Sequence, residues 1–268
     1  MRIARFAKGD GAAYGVVEGE PEGGVRAWTA ASPGLRIAEL HGHPFGIDPG
    51  GVRLTGNSYP LAEVRLLAPV LPSKVVAADG NYASRAREPG DPVLFLKPST
   101  SVTGPGDAIR YPVKLTERVD FEGELAVIIG RLCRGVPRER ADEVVFGYTC
   151  ANVVTARDLQ ARDAQWARAK GFDTFCPLGP WIQTAAHPAD LALTTTVNGA
   201  VRQQARTSEL VWDVPALVSH VSQVMTLLPG DVLLTGTPEG VGPLTDGDEV
   251  CVTIEDIGTL TNRVVTGD

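Results

Sequence analysis

The sequence predicts a mixed α/β fold in which strands far outnumber helices, and three observations support this prediction. Glycine (30) and proline (20) are abundant among the 268 residues, as is typical of short strands joined by tight turns. Short runs rich in β-branched residues recur along the chain and are bounded by Gly, Pro or Asp. Helical periodicity is confined to a few short stretches, which argues against an alternating doubly wound sheet.

The first 66 residues are predicted to form a small β-rich N-terminal domain, and residues 67–268 a larger one. Predicted strands of the smaller domain lie between Gly-rich turns, and a short helix is predicted after them: strands at 2–6, 13–17 and 25–28, helix at 37–40. The boundary falls in a linker-like stretch at 67–72, whose two prolines favour extended backbone.

The larger domain is predicted to be dominated by strands. Its predicted strands are 75–78, 93–96, 124–129, 145–148, 181–184, 193–197, 231–235 and 249–254. Its predicted helices are 137–143, 156–168 and 214–227. The sequence contains no internal repeat and no low-complexity tract.

Composition and charge exclude several classes of protein. The chain has 25 Lys and Arg against 32 Asp and Glu, a net charge of −7, which argues against non-specific nucleic-acid binding. No stretch approaches the roughly 20 apolar residues of a membrane-spanning helix. The first residues lack the apolar centre of a secretory signal, so we expect a cytoplasmic protein. The four cysteines include no Cys-x-x-Cys pair and are predicted to be reduced.

Two glutamates in the segment DFEGEL (120–125) are the first candidate functional residues. On a strand, Glu122 and Glu124 share one face, opposite Phe121 and Leu125. Neighbouring carboxylates repel each other unless water solvates them or a cation bridges them. The pair is therefore either a solvated strand face or half of an oxygen-rich site for a divalent metal such as Mg²⁺ or Mn²⁺.

The Gly-rich run TGTPEGVG (235–242) is less specific. Its glycines are not followed by the Lys-Ser/Thr of a phosphate-binding loop, and a dinucleotide-binding fingerprint is also missing. Taken alone, the run indicates tight turns.

Taken together, several motifs resemble the fumarylacetoacetate hydrolase family. They are NY (81–82), FLKP (95–98), DFEGEL (120–125), GYT (147–149), TARD (155–158), KGFD (170–173), PLGPW (177–181) and TGTPEGVG (235–242). They occur in the order typical of the family and cover roughly residues 70–265. The N-terminal stretch is similar to the short domain of the family's smaller bacterial members.

The resemblance implies a β-sandwich roll with few helices, and a homodimer. It also implies cleavage, decarboxylation or isomerisation of 2-oxo acids and 1,3-dicarbonyl acids, with Mg²⁺ or Mn²⁺ acting as a Lewis acid. In the family two Glu and one Asp hold the metal, and Glu122 and Glu124 match the two glutamates. Lys170 matches a catalytic position, where its charge would stabilise an enolate. Four further residues match substrate-binding positions: Tyr82, Arg157, Gln160 and Thr237. For Arg157, and for the neighbouring Asp158, hydrogen bonding within the scaffold is an equally open interpretation.

The sequence departs from the family at two positions that carry chemistry. Val153 occupies the place of the metal-binding aspartate, and an isopropyl group cannot bind a metal. Arg85 occupies the place of the histidine in the family's His–Glu dyad, and a guanidinium stays protonated at neutral pH. Glu88 matches the dyad carboxylate. None of the four histidines lies near a matched motif: His41, His43, His187 and His220.

These departures predict that metal binding is weak or absent and that Arg85 and Lys170 supply positive charge instead. On closure of the lid segment, Arg85 is expected to pair with Glu122 and Glu124. Proton transfer would then involve Glu88 or one of those two glutamates. The chain is therefore predicted to be a divergent enzyme that cleaves, decarboxylates or isomerises a 2-oxo or 1,3-dicarbonyl acid. One version of this prediction is a metal-independent, non-hydrolytic step in a biosynthetic pathway. Two alternatives remain open: a catalytically silent binding or structural member, and an ordinary metal-dependent acylpyruvate hydrolase.

Overall fold

Strands dominate the structure. A computed structural model of the chain describes residues 1–19, 29, 32–45, 52–85 and 90–266. The described part contains twenty strands, three α-helices and five short 3-10 helices. This confirms the predicted strand-dominated mixed fold.

The strands are β1 (Arg2–Lys8), β2 (Gly11–Glu18), β3 (Arg36–Leu40), β4 (Leu54–Pro60), β5 (Leu66–Leu67), β6 (Val75–Asp79), β7 (Val93–Lys97), β8 (Val102–Thr103), β9 (Ala108–Tyr111), β10 (Val119–Phe121), β11 (Gly123–Ile129), β12 (Val145–Asn152), β13 (Thr155–Ala156), β14 (Cys176–Gln183), β15 (Ala192–Val197), β16 (Ala200–Arg206), β17 (Val232–Leu234), β18 (Gly242–Pro243), β19 (Glu249–Ile254) and β20 (Gly258–Thr266). The α-helices are α1 (Arg157–Arg162), α2 (Ala167–Lys170) and α3 (Val214–Val224). The 3-10 helices are Leu61–Glu63, Ala83–Arg85, Ser99–Ser101, Arg138–Glu143 and Thr207–Glu209.

The largest sheet has twelve strands and runs through both predicted domains. Its order is β4-β3-β2-β1-β14-β12-β11-β17-β6-β7, with β5 paired to β1 and β8 paired to β14. The first strand joins the N-terminal part to the rest, because Ile3 of β1 pairs with Ile182 of β14. The N-terminal strands therefore extend the same sheet that carries β11 and β17.

A second sheet of five strands packs against this one and forms the sandwich. Its order is β16-β15-β19-β20-β9. Leu125 and Val127 of β11 share an apolar cluster with Leu193 of β15, Val252 of β19 and Val218 of α3. Burying side chains of this size contributes about 1.5–3 kcal/mol each. A third, three-stranded sheet has the order β13-β10-β18 and lies where the candidate site residues gather.

Two predictions about local structure were wrong. Residues 37–40, predicted as a helix, belong to strand β3, where Ile37 pairs with Val17 on one side and Tyr59 on the other. The predicted helix at 156–168 is two short helices, because the backbone of Asp163 is extended (φ −86°, ψ 136°) and ends α1. The strand predicted at 25–28 lies outside the described residues. No helix in the described part of the chain is long and apolar enough to cross a bilayer.

Candidate active site

The topology brings four separate segments to one place. Strand β17 lies between β11 and β6, antiparallel to β11 and parallel to β6. Because β6 and β17 are parallel, the segments that follow them leave the sheet at the same edge. These segments carry residues 80–85 and 235–242. Glu124 lies in β11 and Glu122 directly before it, and the short helices α1 and α2 supply Arg157 and Lys170.

Glu122 is held by two cations of the protein itself. Lys170 Nζ donates to Glu122 Oε2 at 2.7 Å, and Arg157 Nη2 donates to Oε1 at 2.5 Å. The exposed fraction is 4% for Glu122 and 1% for Lys170. Burial acts to raise the pKa of the Glu122 carboxyl, but the charges of Lys170 and Arg157 outweigh it and lower the pKa to about 2. Glu122 is therefore a fixed anion and a weak base.

Glu124 lies in a different environment although it is only two residues away. Its Oε2 accepts a hydrogen bond of 2.7 Å from the backbone N–H of Gly236. Burial and then the charge of Glu122 raise the pKa of the Glu124 carboxyl to about 8. Gly236 has φ +97°, and a Cβ there would lie 3.0 Å from Cβ of Asn81, so the close approach of these segments favours glycine. Of the two carboxyls, Glu124 is the one suited to exchange a proton.

Arg157 uses three nitrogens on acceptors of the protein. Besides Glu122, it donates through Nε to Asp120 at 2.9 Å and through Nη1 to Gln160 at 2.6 Å. Asp120 is fully buried and also accepts from Arg118 at 2.8 Å. The predicted substrate-binding pair Arg157 and Gln160 is thus tied into a hydrogen-bonded frame around Glu122. The carboxylate of Asp158 accepts a hydrogen bond from the hydroxyl of Thr116 and does not contribute to this frame.

Lys170 is held on three sides. Its Nζ donates to Thr155 Oγ1 at 2.6 Å as well as to Glu122, and lies 4.8 Å from the ring centroid of Phe95. The side chain of Lys97, on the same strand as Phe95, donates to the carbonyl oxygens of Lys170 and Val154. Sequence reasoning missed Thr155 and Lys97 as contributors. The available signal for Lys97 was a lysine ending an apolar strand, directly before a proline.

The Lys97→Met variant should remove a pH dependence of stability. Burial lowers the pKa of Lys97 from 10.5 to about 7, so between these values the native protein binds fewer protons than the unfolded chain. Stability of the wild type should therefore rise with pH through this window, by up to about 1.4 kcal/mol per pH unit relative to the variant. Urea unfolding of both proteins from pH 7 to 10 measures this difference. A difference that stays constant with pH would contradict a neutral buried Lys97.

The segment that precedes Arg85 is firmly anchored. Asn81 accepts from Trp212 N at 2.8 Å and donates to the carbonyl oxygens of Trp212 and Thr235. Tyr82 is fully buried, and its hydroxyl has no hydrogen-bond partner among the described residues. Burial and the charge of Glu124 raise the pKa of the Tyr82 phenol. Tyr82 is therefore a neutral hydroxyl within electrostatic reach of Glu124.

Thr237, another predicted substrate-binding residue, is bonded within the protein. Its Oγ1 donates to the carbonyl of Gly123 at 2.8 Å and accepts from Gln203 Nε2 at 2.8 Å. Gln203 also accepts from the N–H of Gly123, so it joins the start of β11 to the loop after β17. Sequence reasoning did not identify Gln203, because strand β16 carries no recognisable motif.

The structure brings most of the predicted site residues together, while the roles assigned to them stay predictions. Seven of them lie on the converging segments: Tyr82, Glu122, Glu124, Arg157, Gln160, Lys170 and Thr237. Arg85 ends the 3-10 helix beside them. The pairing of Arg85 with the two glutamates is expected on closure of a lid segment that lies partly outside the described residues, so it stays a prediction. In the described arrangement Lys170 and Arg157 bind Glu122. Glu88 lies outside the described residues.

The donor set does not fit a three-carboxylate metal cage. Val153 is fully buried in an apolar cluster with Ala77 and Leu234, although its backbone N–H donates to the carbonyl of Glu122. Both oxygens of Glu122 already accept from cationic side chains. In the described part of the chain, no group of three or more His, Cys, Asp and Glu side chains is placed to hold a metal ion.

Comparisons with known families and proteins agree with this architecture. Residues 73–265 match the family model described as fumarylacetoacetate (FAA) hydrolase C-terminal. Residues 1–69 match the model described as Rv2993c-like, N-terminal. Oxaloacetate tautomerase YisK of Bacillus subtilis is 40% identical over 225 residues, which cover 77% of this chain and 75% of that protein.

Two solved structures share the fold over their full lengths. The 5-carboxymethyl-2-hydroxymuconate delta-isomerase of Mycobacterium smegmatis has a TM-score of 0.90 and 53% identity, with 100% of both chains covered. The maleylpyruvate hydrolase of Sphingobium sp. SYK-6, solved with manganese(II) and pyruvate, has a TM-score of 0.80 and 36% identity, again with 100% of both chains covered. With a family model matched over most of its length and relatives of this similarity, the chain belongs to the fumarylacetoacetate hydrolase family.

Proposed function

We propose that this protein catalyses the enol–keto isomerisation of a 2-oxo or 1,3-dicarbonyl acid without a divalent metal ion. The observation that carries the proposal is the pair of hydrogen bonds from Lys170 and Arg157 to Glu122, which place two fixed positive charges beside a carboxylate that binds metal in the family. The names of the similar proteins, a tautomerase and an isomerase among them, support this class of reaction.

Lys170 is proposed to stabilise the enolate. Removing a proton from the carbon beside the oxo group moves an electron pair onto the oxo oxygen, which becomes negative. Lys170 has three N–H donors, and two of them bind Glu122 and Thr155. The third is proposed to bind the developing oxyanion in this dry environment, where such a bond is strong.

Glu124 is proposed to carry the proton. Its Oε2 accepts from the N–H of Gly236, which fixes the orientation of the carboxylate. In the proposed step Glu124 takes the proton from the carbon and returns it to the oxo oxygen, so that the product is an isomer and no water is consumed. Glu122, bound to two cations, is the poorer candidate. Isomerisation is also compatible with Arg85 at the place of the family's lid histidine, because this reaction does not require a base that activates water.

Tautomerisation of oxaloacetate in the presence of a chelator tests the proposal. The enol and keto forms differ in ultraviolet absorption, so the rate can be followed directly with protein that has been treated with EDTA. We expect catalysis that EDTA does not remove and that added Mg²⁺ or Mn²⁺ does not raise. Tautomerisation that appears only on adding metal would contradict metal independence and favour a metal-dependent enzyme, for which the maleylpyruvate hydrolase structure with manganese(II) is a precedent. No turnover of any oxo acid would favour the silent binding member.

Val153→Asp and Val153→Asn form a matched pair for the same question. Aspartate restores the third carboxylate of the family, whereas asparagine has a similar shape without the charge. We expect Val153→Asp alone to gain affinity for Mn²⁺ in calorimetric titration, and the oxaloacetate tautomerisation rate not to increase. Tight Mn²⁺ binding by the wild type, unchanged in Val153→Asp, would contradict metal independence.

Three further features are also proposed. The domain boundary is placed between residues 66 and 67, at the start of the Pro-containing linker. A cytoplasmic location is proposed from the sequence alone. A homodimer is supported by exposed apolar side chains on the edge strand β7, Val93 and Leu96, and nearby in the sequence at Val113 and Leu115.

A further inference from the structure

We propose that Arg85 is the residue that binds a carboxylate of the substrate. The inference rests on the proposed function, because that function makes the substrate an acid. It adds which side chain of the protein recognises the acid group. Its basis is a guanidinium on an anchored segment beside the site, whose Nη1 is buried and makes no hydrogen bond to the described residues.

The backbone before Arg85 is fixed by hydrogen bonds on two sides. Asn81 is bonded to Trp212 and Thr235, and Val211 N donates to the carbonyl of Asn81 at 2.8 Å. Arg85 N donates to the carbonyl of Tyr82 at 2.8 Å and closes the 3-10 turn. The guanidinium therefore starts from a rigid support, which lowers the entropy lost when it binds a ligand.

The other arginines of the site already have carboxylate partners. Arg118 is paired with Asp120, and Arg157 with Asp120 and Glu122. Arg85 differs, because its Nη1 is buried and makes no hydrogen bond to any described residue. A buried cationic donor without an acceptor is costly, and a bound anion would remove that cost.

Arg85 lies close enough to Glu122 for its charge to act on that carboxyl. Burial acts to raise the pKa of Glu122, and Arg85 contributes with Lys170 and Arg157 to lowering it. Both oxygens of Glu122 accept from those two cations, and within the described residues Arg85 makes no hydrogen bond to either of them. The positive charge of Arg85 is thus available to a ligand, and a guanidinium matches the planar geometry of a carboxylate.

Oxalate, oxamate and oxamide test the proposal on EDTA-treated protein. The three molecules share a planar skeleton and carry two, one and no carboxylates. Calorimetric titration should show that Arg85→Gln weakens oxalate binding roughly 10- to 100-fold, the effect of losing one charged hydrogen-bonded contact. Arg85→Lys should retain part of the affinity, and oxamide binding should be equal in all three proteins.

Two controls separate this result from a change in folding or in the reaction. Arg140→Gln removes an exposed arginine that pairs with Glu143, and it should leave oxalate binding unchanged. Equal weakening of oxalate and oxamide by Arg85→Gln, no weakening of either, or no oxalate binding by the wild type would overturn the role of Arg85. Since binding needs no turnover, Arg85-dependent oxalate binding by a protein that isomerises no oxo acid would uphold this role and refute the proposed function alone.

Discussion

The Lys170→Met variant should lose roughly 100- to 1000-fold in kcat for the isomerisation while remaining folded. Methionine keeps the length and the packing of the side chain but removes the ammonium that is proposed to bind the enolate oxygen. Glu122 keeps Arg157 as its partner in this variant, so the carboxylate is not left alone in the protein interior. Stopped-flow measurement of enol consumption at saturating oxaloacetate gives kcat directly.

Lys74→Met is the matched control for that experiment. Lys74 also pairs with a buried carboxylate, but its partner Asp231 directly precedes strand β17, at the opposite end of that strand from the site. The control should lose stability and little kcat. If both variants lost kcat to the same degree, or if Lys170→Met kept the wild-type rate, the proposed role of the ammonium would be wrong.

The placement of the two glutamates shows how far the sequence could be interpreted. The pattern of segment 120–125 predicts one strand with both carboxylates on one face, but Glu122 lies between β10 and β11, and Phe121 and Leu125 pack into separate apolar clusters. Local spacing left open whether the carboxylates face water or a metal. In the structure Glu122 instead binds two cationic side chains of the protein, those of Lys170 and Arg157. These residues lie 48 and 35 positions from Glu122 in the sequence. Spacing alone does not encode contacts across such distances.

The same limit explains the contributors that sequence reasoning missed. Lys97 reaches the carbonyl of Lys170 across 73 residues, and Gln203 reaches the backbone of Gly123 across 80. The first contact joins strand β7 to helix α2 and the second joins strands of two different sheets, so both depend on tertiary packing. The error at 37–40 has a similar cause, because β3 is buried between β2 and β4 and this pairing decides its conformation against a weak helical preference.

The Glu122→Leu variant should be less stable than the wild type by about 3–5 kcal/mol. Leucine has a similar volume but leaves the ammonium of Lys170, which is 1% exposed, without its carboxylate. Arg157 keeps Asp120, so the penalty falls mainly on Lys170. Urea unfolding followed by tryptophan fluorescence measures the loss. Glu143→Gln, which breaks an exposed pair with Arg140, should change stability by less than about 1 kcal/mol.

The double variant Glu122→Leu, Lys170→Met decides whether the unpaired charge is the cause. If the cost of Glu122→Leu comes from burying a lone ammonium, removing that ammonium as well should restore at least about 1 kcal/mol, and the double variant should be more stable than Glu122→Leu alone. If the cost came from lost packing around the glutamate, the two changes would add and the double variant would be the less stable. The sign of this coupling energy therefore measures whether Glu122 serves as the fixed counter-ion of Lys170, the arrangement on which metal-independent stabilisation of an enolate depends.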